Sequence, residues 1–169
     1  MTDLPYLTGY PPATLDAVRR LVAEGRLSEH LAARYPARHQ VQSDAALQDY
    51  VSELKSEYLR SAPPLHRVSY ENGMDVIRNA LGLHMRQPRV QGGKLKAKRE
   101  IRIASVFREG APEFLEMIAV HELAHIREPA HNKAFYRLCE HMLSDYHQRE
   151  FDTRLWLMGR KLGGTAGGC

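Results

Sequence analysis

The chain has 169 residues, 43% hydrophobic and 26% charged, with a formal net charge of +4. That length favours one domain with a real core, and that composition is ordinary for a globular protein. No run approaches about 18 apolar residues, and Met1-Thr2-Asp3-Leu4-Pro5 shows neither a basic nor an apolar leader region, so neither a membrane span nor a secretory signal is expected. Cys139 and Cys169 do not form a spaced pair, which argues against a disulfide framework and for a cytoplasmic setting.

Residues 13–35 read as helical. Leu15, Val18, Leu21 and Val22 keep a helical spacing, with Thr14 as the expected cap. Gly25 should end this helix, and a shorter one from Ser28 to about Tyr35 should stop at Pro36. After a loop over 36–43, Ser43 caps a helix whose stripe is Leu47, Tyr50, Val51, Leu54 and Tyr58. The tyrosines on that stripe read as core packing.

Pro63-Pro64 marks a change of texture. Arg67–Tyr70 and Met74–Ile77 flank Glu71-Asn72-Gly73, and Asn-Gly is a turn signal. Leu81–Met85 reads as a further short strand. Lys94–Lys98 and Ile101–Ala104 alternate with period two, which predicts an antiparallel hairpin around Arg99-Glu100. Between Arg86 and Arg102 lie Arg86, Arg89, Lys94, Lys96, Lys98, Arg99 and Arg102, opposed by Glu100 alone. On a strand, Lys94, Lys96 and Lys98 share one face. That face is either a solvated sheet surface or an electropositive wall for phosphates, with Gln91-Gly92-Gly93 letting backbone N–H groups approach an anion. A nucleic-acid surface is disfavoured, because the stripe carries no interleaved aromatics.

Pro112 is well placed to open the next helix, which is apolar over most of its circumference from Phe114 to Ile126 and is expected to be buried. It carries His121-Glu122-Leu123-Ala124-His125, followed by His131. Two histidines four apart share a helix face and can hold one metal ion. Glu122 sits about 100° round the helix from His121, within reach of a water on the metal without being a ligand. This is the pattern of a zinc hydrolase with glutamate as general base. His131 cannot join on the same helix, because six residues turn through about 600°. Glu128-Pro129 supplies a break, and Asn132 reads as the cap of a new helix over 133–143, so His131 lies in a corner from which it can meet the metal. Metzincins share the five-residue gap but carry glycine where this chain has Glu128. A last helix is expected from about Gln148 to Leu162, with a flexible tail over 163–169.

At Val120–Ile126 and at His131-Asn132-Lys133-Ala134-Phe135-Tyr136 the chain resembles the YgjP-like group of predicted metal-dependent hydrolases, a zincin-like family. The likeness extends to Tyr6–Pro11, Arg89–Lys98 and Glu150–Leu157. The resemblance implies His121, His125 and His131 as metal ligands and Glu122 as catalytic base. It also implies a small antiparallel or mixed sheet beside the metal helix. Where the broader family shows a Trp-Gly-Ser-Cys stretch, this chain has Val90-Gln91-Gly92-Gly93-Lys94.

The expected architecture is thus α+β: a single zincin-like domain over 1–162, helical at about 13–60, with its sheet at about 65–104 and its metal-site helices at about 112–162. Three functions compete. The first is a zinc hydrolase of metallopeptidase type, cleaving peptides. The second is a metal-dependent nucleoside triphosphate pyrophosphatase, UTP to UMP, which the resemblance implies and in which Lys94, Lys96 and Lys98 would neutralise phosphates. The third is a non-catalytic, metal-stabilised nucleic-acid-binding module, which needs a closed site with a fourth protein ligand. Tyr136, Arg137, His141, Tyr146 and His147 are candidate donors to a developing oxyanion. Glu140, Asp145, Glu150 and Asp152 are candidates for orienting the histidines.

Overall fold

The computed structural model describes residues 4–73 and 100–166. Pro12 opens α1 (Pro12–Ala23) in its first turn, where a missing N–H costs nothing, and no side chain caps the helix. Thr14, the expected cap, therefore lies inside it. Gly25 ends the run with φ +66°, a left-handed conformation suited to glycine, and α2 (Leu27–Arg34) follows. Before α3 (Asp44–Tyr58), Ser43 accepts a hydrogen bond from the Ala46 N–H at 3.1 Å, as its sequence predicts. Leu47 and Val51 face the core, with Tyr50, Leu54 and Tyr58 partly buried beside them.

The described sheet has two strands, β1 (Arg67–Glu71) and β2 (Glu100–Ala104), and they run parallel. This corrects the expected antiparallel arrangement. Glu100, read as part of a turn, is the first residue of β2. Burial sets the pairing: Val68 lies opposite Ile101 and Tyr70 opposite Ile103, and all four are buried. A parallel pair needs a long crossover, for which residues 72–99 give ample chain. The strands expected at 74–77, 81–85 and 94–98 all lie outside the described residues. Lys94, Lys96 and Lys98 lie there too. Arg102, from the same basic stripe, is exposed and pairs with Glu71 at 3.3 Å and Glu100 at 3.2 Å.

Buried His39 ties the loop before α3 to the turn after β2. Its Nε2–H donates to the Phe107 carbonyl at 2.6 Å while its Nδ1 accepts from the Val41 N–H at 3.0 Å. A 3-10 turn (Ser105–Glu109) then leads into α4 (Pro112–Ala124), where Phe114, Leu115, Met117, Ile118, Ala119, Val120, His121, Leu123 and Ala124 are all buried. α5 (Lys133–Met142) and α6 (Tyr146–Ala166) complete the fold. α6 runs to Ala166, so the first residues of the glycine-rich end, expected to be flexible, are helical.

α6 packs against α2, α4 and α5. It places Leu157 in the main buried cluster with the sheet and α4, and Leu155 and Met158 in a second cluster with Leu4, Leu7, Val18, Leu27 and Leu31. Fully buried Asp152 on α6 accepts hydrogen bonds from the Tyr35 hydroxyl and from Gln148. The architecture is α+β, dominated by helix, and the metal-motif helix sits at its centre. No helix among the described residues is long and apolar enough to cross a membrane.

Candidate metal centre

Local chain chemistry builds the site. α4 carries His121, and His125 is its C-terminal cap, still in right-handed helical conformation at φ −64°, ψ −16°. The chain then turns: the Glu128 N–H reaches back to the Ala124 carbonyl at 2.9 Å, and Pro129 follows. Asn132 starts α5 by accepting from the Phe135 N–H at 2.8 Å. His131, just before that cap, is returned to the α4 histidines.

The three imidazoles meet edge to edge. Nε2 of His125 lies 3.2 Å from Nε2 of His121 and 2.9 Å from that of His131, and the His121–His131 separation is 3.3 Å. Zinc held tetrahedrally at about 2.0–2.1 Å by each nitrogen would set them roughly 3.3–3.4 Å apart. The donor set therefore fits a small divalent cation that prefers nitrogen. Ring tautomers agree. His125 Nδ1–H donates to the Glu128 carbonyl at 3.0 Å, which leaves the Nε2 lone pair facing its neighbours. His121 Nδ1 lies 2.7 Å from the Tyr146 hydroxyl. Among the described residues these three histidines form a candidate metal-binding group with no fourth member, the count of a catalytic rather than a closed structural site.

The surroundings favour neutral imidazole. His121 is buried, His125 half-buried and His131 exposed, so the group opens toward solvent on the His131 side. Burial lowers the pKa of His125. His131 is pushed down to about 4, first by burial of its ring, then by the neighbouring charges of His125 and Arg154. His131 is open as a whole residue, but the Nε2 edge is turned into the triad. Phe135 is packed against all three rings, with centroids 5.0, 4.5 and 4.9 Å from His121, His125 and His131. No pattern in the sequence marks Phe135 for this role beyond its position three residues after the Asn132 cap.

Glu122 is half-buried next to His121. Of the donor candidates, Tyr146 is engaged with His121, and Tyr136 has its ring 6.5 Å from that of His131. Burial pushes the Tyr136 phenol up to about 12, so it stays protonated. His147 pairs with Glu140 at 2.9 Å, His141 faces Tyr58, and Arg137 is exposed. Of the candidate orienting carboxylates, Glu140 is thus taken by His147, Asp145 bonds Arg149 at 3.0 Å, and Asp152 binds Tyr35. Of these four, Glu150 is the one that couples electrostatically to Tyr146, the residue behind His121. Cys139 is buried and its thiol is pushed up to about 12 by burial, so it is a packing residue and a poor ligand.

A family model described as YgjP-like, metallopeptidase domain, matches residues 18–154. The chain belongs to the YgjP-like family and is an enzyme, a metal-dependent hydrolase. It is also similar to a protein of Escherichia coli (strain K12) named UTP pyrophosphatase, with 56% identity over 163 residues, covering 96% of this chain and 98% of that protein. No solved structure matches the chain significantly.

Proposed function

We propose that the chain hydrolyses a nucleoside triphosphate, UTP being the first candidate, to the monophosphate and pyrophosphate at a zinc site held by His121, His125 and His131. The observation that carries the reading is the convergence of three imidazole nitrogens within 2.9–3.3 Å, with Glu122 next in sequence to His121. The choice of nucleotide rests on the likeness to the UTP pyrophosphatase over nearly the full length of both chains.

A divalent ion in this setting supplies a Lewis acid that polarises the scissile group and acidifies the attacking water. The chain does the rest. Glu122 accepts the proton that water loses as it attacks phosphorus and the α–β phosphoanhydride breaks. Phe135 keeps the inner side of the triad dry. Tyr136, protonated and beside His131, is the donor best placed to meet developing negative charge. Lys94, Lys96 and Lys98 neutralise the phosphates that are not being cleaved.

Peptide hydrolysis is the second reading. It is favoured by the His-Glu-x-x-His pattern and by the metallopeptidase description of the family. A paired turnover assay on zinc-loaded protein separates the two, with a panel of nucleoside triphosphates in one arm, a mixed peptide library in the other, and Glu122→Gln as control in both. Glu122-dependent pyrophosphate release is the expected result. Glu122-dependent peptide cleavage without it would overturn the nucleotide reading.

A further inference from the structure

Behind His121 the structure continues in a direction that the motif does not announce. Tyr146, Glu150 and Arg154 are spaced i, i+4, i+8 and so share one face of α6. Tyr146 and His121 are both fully buried, and the hydroxyl is 2.7 Å from His121 Nδ1. With Nε2 turned to the triad, Nδ1 carries the proton and donates to the tyrosine oxygen. Glu150, four residues on along the same face, interacts electrostatically with the Tyr146 hydroxyl, and the Cys139 thiol is within reach of the same hydroxyl. A carboxylate is the stronger acceptor. Glu150 is buried, and Arg154 lies 3.4 Å from its Oε1. Arg154 also donates to the Tyr6 carbonyl at 3.3 Å and lies close enough to Tyr10 to act on its hydroxyl. Tyr6 and Tyr10 lie outside the span matched by the family model, which begins at residue 18.

We propose that Tyr146 and Glu150 are positioning residues for the metal ligand His121, forming a His–Tyr–carboxylate relay anchored by Arg154 to the N-terminal segment. The relay fixes the ring's tautomer and direction, and the carboxylate at its far end makes the imidazole a stronger donor to a cation. Three ligands set at 2.9–3.3 Å from one another tolerate little rotation of any ring, so a ligand left without its rear bond spends part of its time misaligned. His125 has the same service from the Glu128 carbonyl, a neutral acceptor. His121 is the ligand backed, through Tyr146, by a carboxylate.

The inference rests on the metal-centre reading and not on the choice of substrate. Its test is zinc affinity, measured on the full chain by competition with a chromophoric chelator, with no turnover involved. Tyr146→Phe removes one oxygen and should weaken zinc binding about 10- to 100-fold. Glu150→Gln keeps an acceptor for Tyr146 but removes the charge, and should lose less. Leu155→Ala, on the same helix in the second buried cluster, is the control: it should lower the melting temperature and leave zinc affinity unchanged. Wild-type affinity in Tyr146→Phe would overturn the relay, as would an equal loss in Leu155→Ala. If Tyr146→Phe fails to fold, wild-type affinity in Glu150→Gln overturns it instead. Wild-type protein that takes up no zinc defeats the metal reading itself, an outcome distinct from either.

Discussion

Glu122 follows His121 on α4, so exchanging its carboxylate for an amide removes one proton acceptor and changes almost no volume. Glu122→Gln should therefore keep zinc, by equilibrium dialysis, and lose about 10²- to 10⁴-fold in kcat, the usual contribution of a positioned general base. Retained turnover would remove Glu122 from the mechanism. His131 makes a different prediction, visible without metal. Its folded pKa is about 4 against 6.5 for an unperturbed histidine, so between those values the unfolded chain binds a proton that the folded chain refuses. Protonation then favours unfolding. Apo-protein stability should be full above about pH 6.5 and fall as pH drops toward 4. In His131→Asn that part of the slope should vanish, as followed by thermal melts across the range. A wild-type slope in the variant would show that other groups cause it.

Elements differ in how far local sequence specifies them. Ser43 and Asn132 cap their helices as read, because a cap is decided within about four residues. The start of α4 at Pro112 follows for the same reason. Thr14 was misread because Pro12, two residues earlier, already starts α1. The direction of the β1–β2 pair was not legible. Pairing Val68 with Ile101 joins residues far apart in the chain, so no local pattern announces it; burial of both strands decides it. The α5 cap offers an element-scale test. Asn132→Ala should cost about 1 kcal/mol of stability in chemical denaturation, the usual value of a lost cap. Because His131 is the residue before the cap, zinc affinity should fall with it. A variant as stable as wild type would mean that the cap contributes nothing net, and that His131 is placed by packing on Phe135 instead.

Across the whole molecule, the site combines what is near in sequence with what is not. His121, Glu122, His125 and His131 span eleven positions and declare themselves by spacing. Tyr146 is 25 residues from His121 and meets it only because α6 packs on α4, so no spacing rule reaches it. The proposed nucleotide substrate invokes residues well separated in sequence from the triad, the basic stretch from Arg86 to Arg102. A net charge of +4 is too small to select an anion by itself, so the distribution of charge must do it. Arg102 is already matched by Glu71 and Glu100, which leaves Lys94, Lys96 and Lys98 as the concentrated charge to test. A triphosphate needs that charge in both ground and transition states, whereas a peptide bond does not. Replacing all three lysines by glutamine should lower kcat/KM for UTP by roughly ten-fold or more, equivalent to about 1.4 kcal/mol, mostly through KM, while zinc affinity stays at the wild-type value. If the lysines act through long-range charge, raising salt should shrink the difference between wild type and variant, because salt screens such attraction. Unchanged UTP turnover in the triple variant would make the lysines a solvated face, and binding of the phosphates would then fall to other groups, Tyr136 beside His131 first among them.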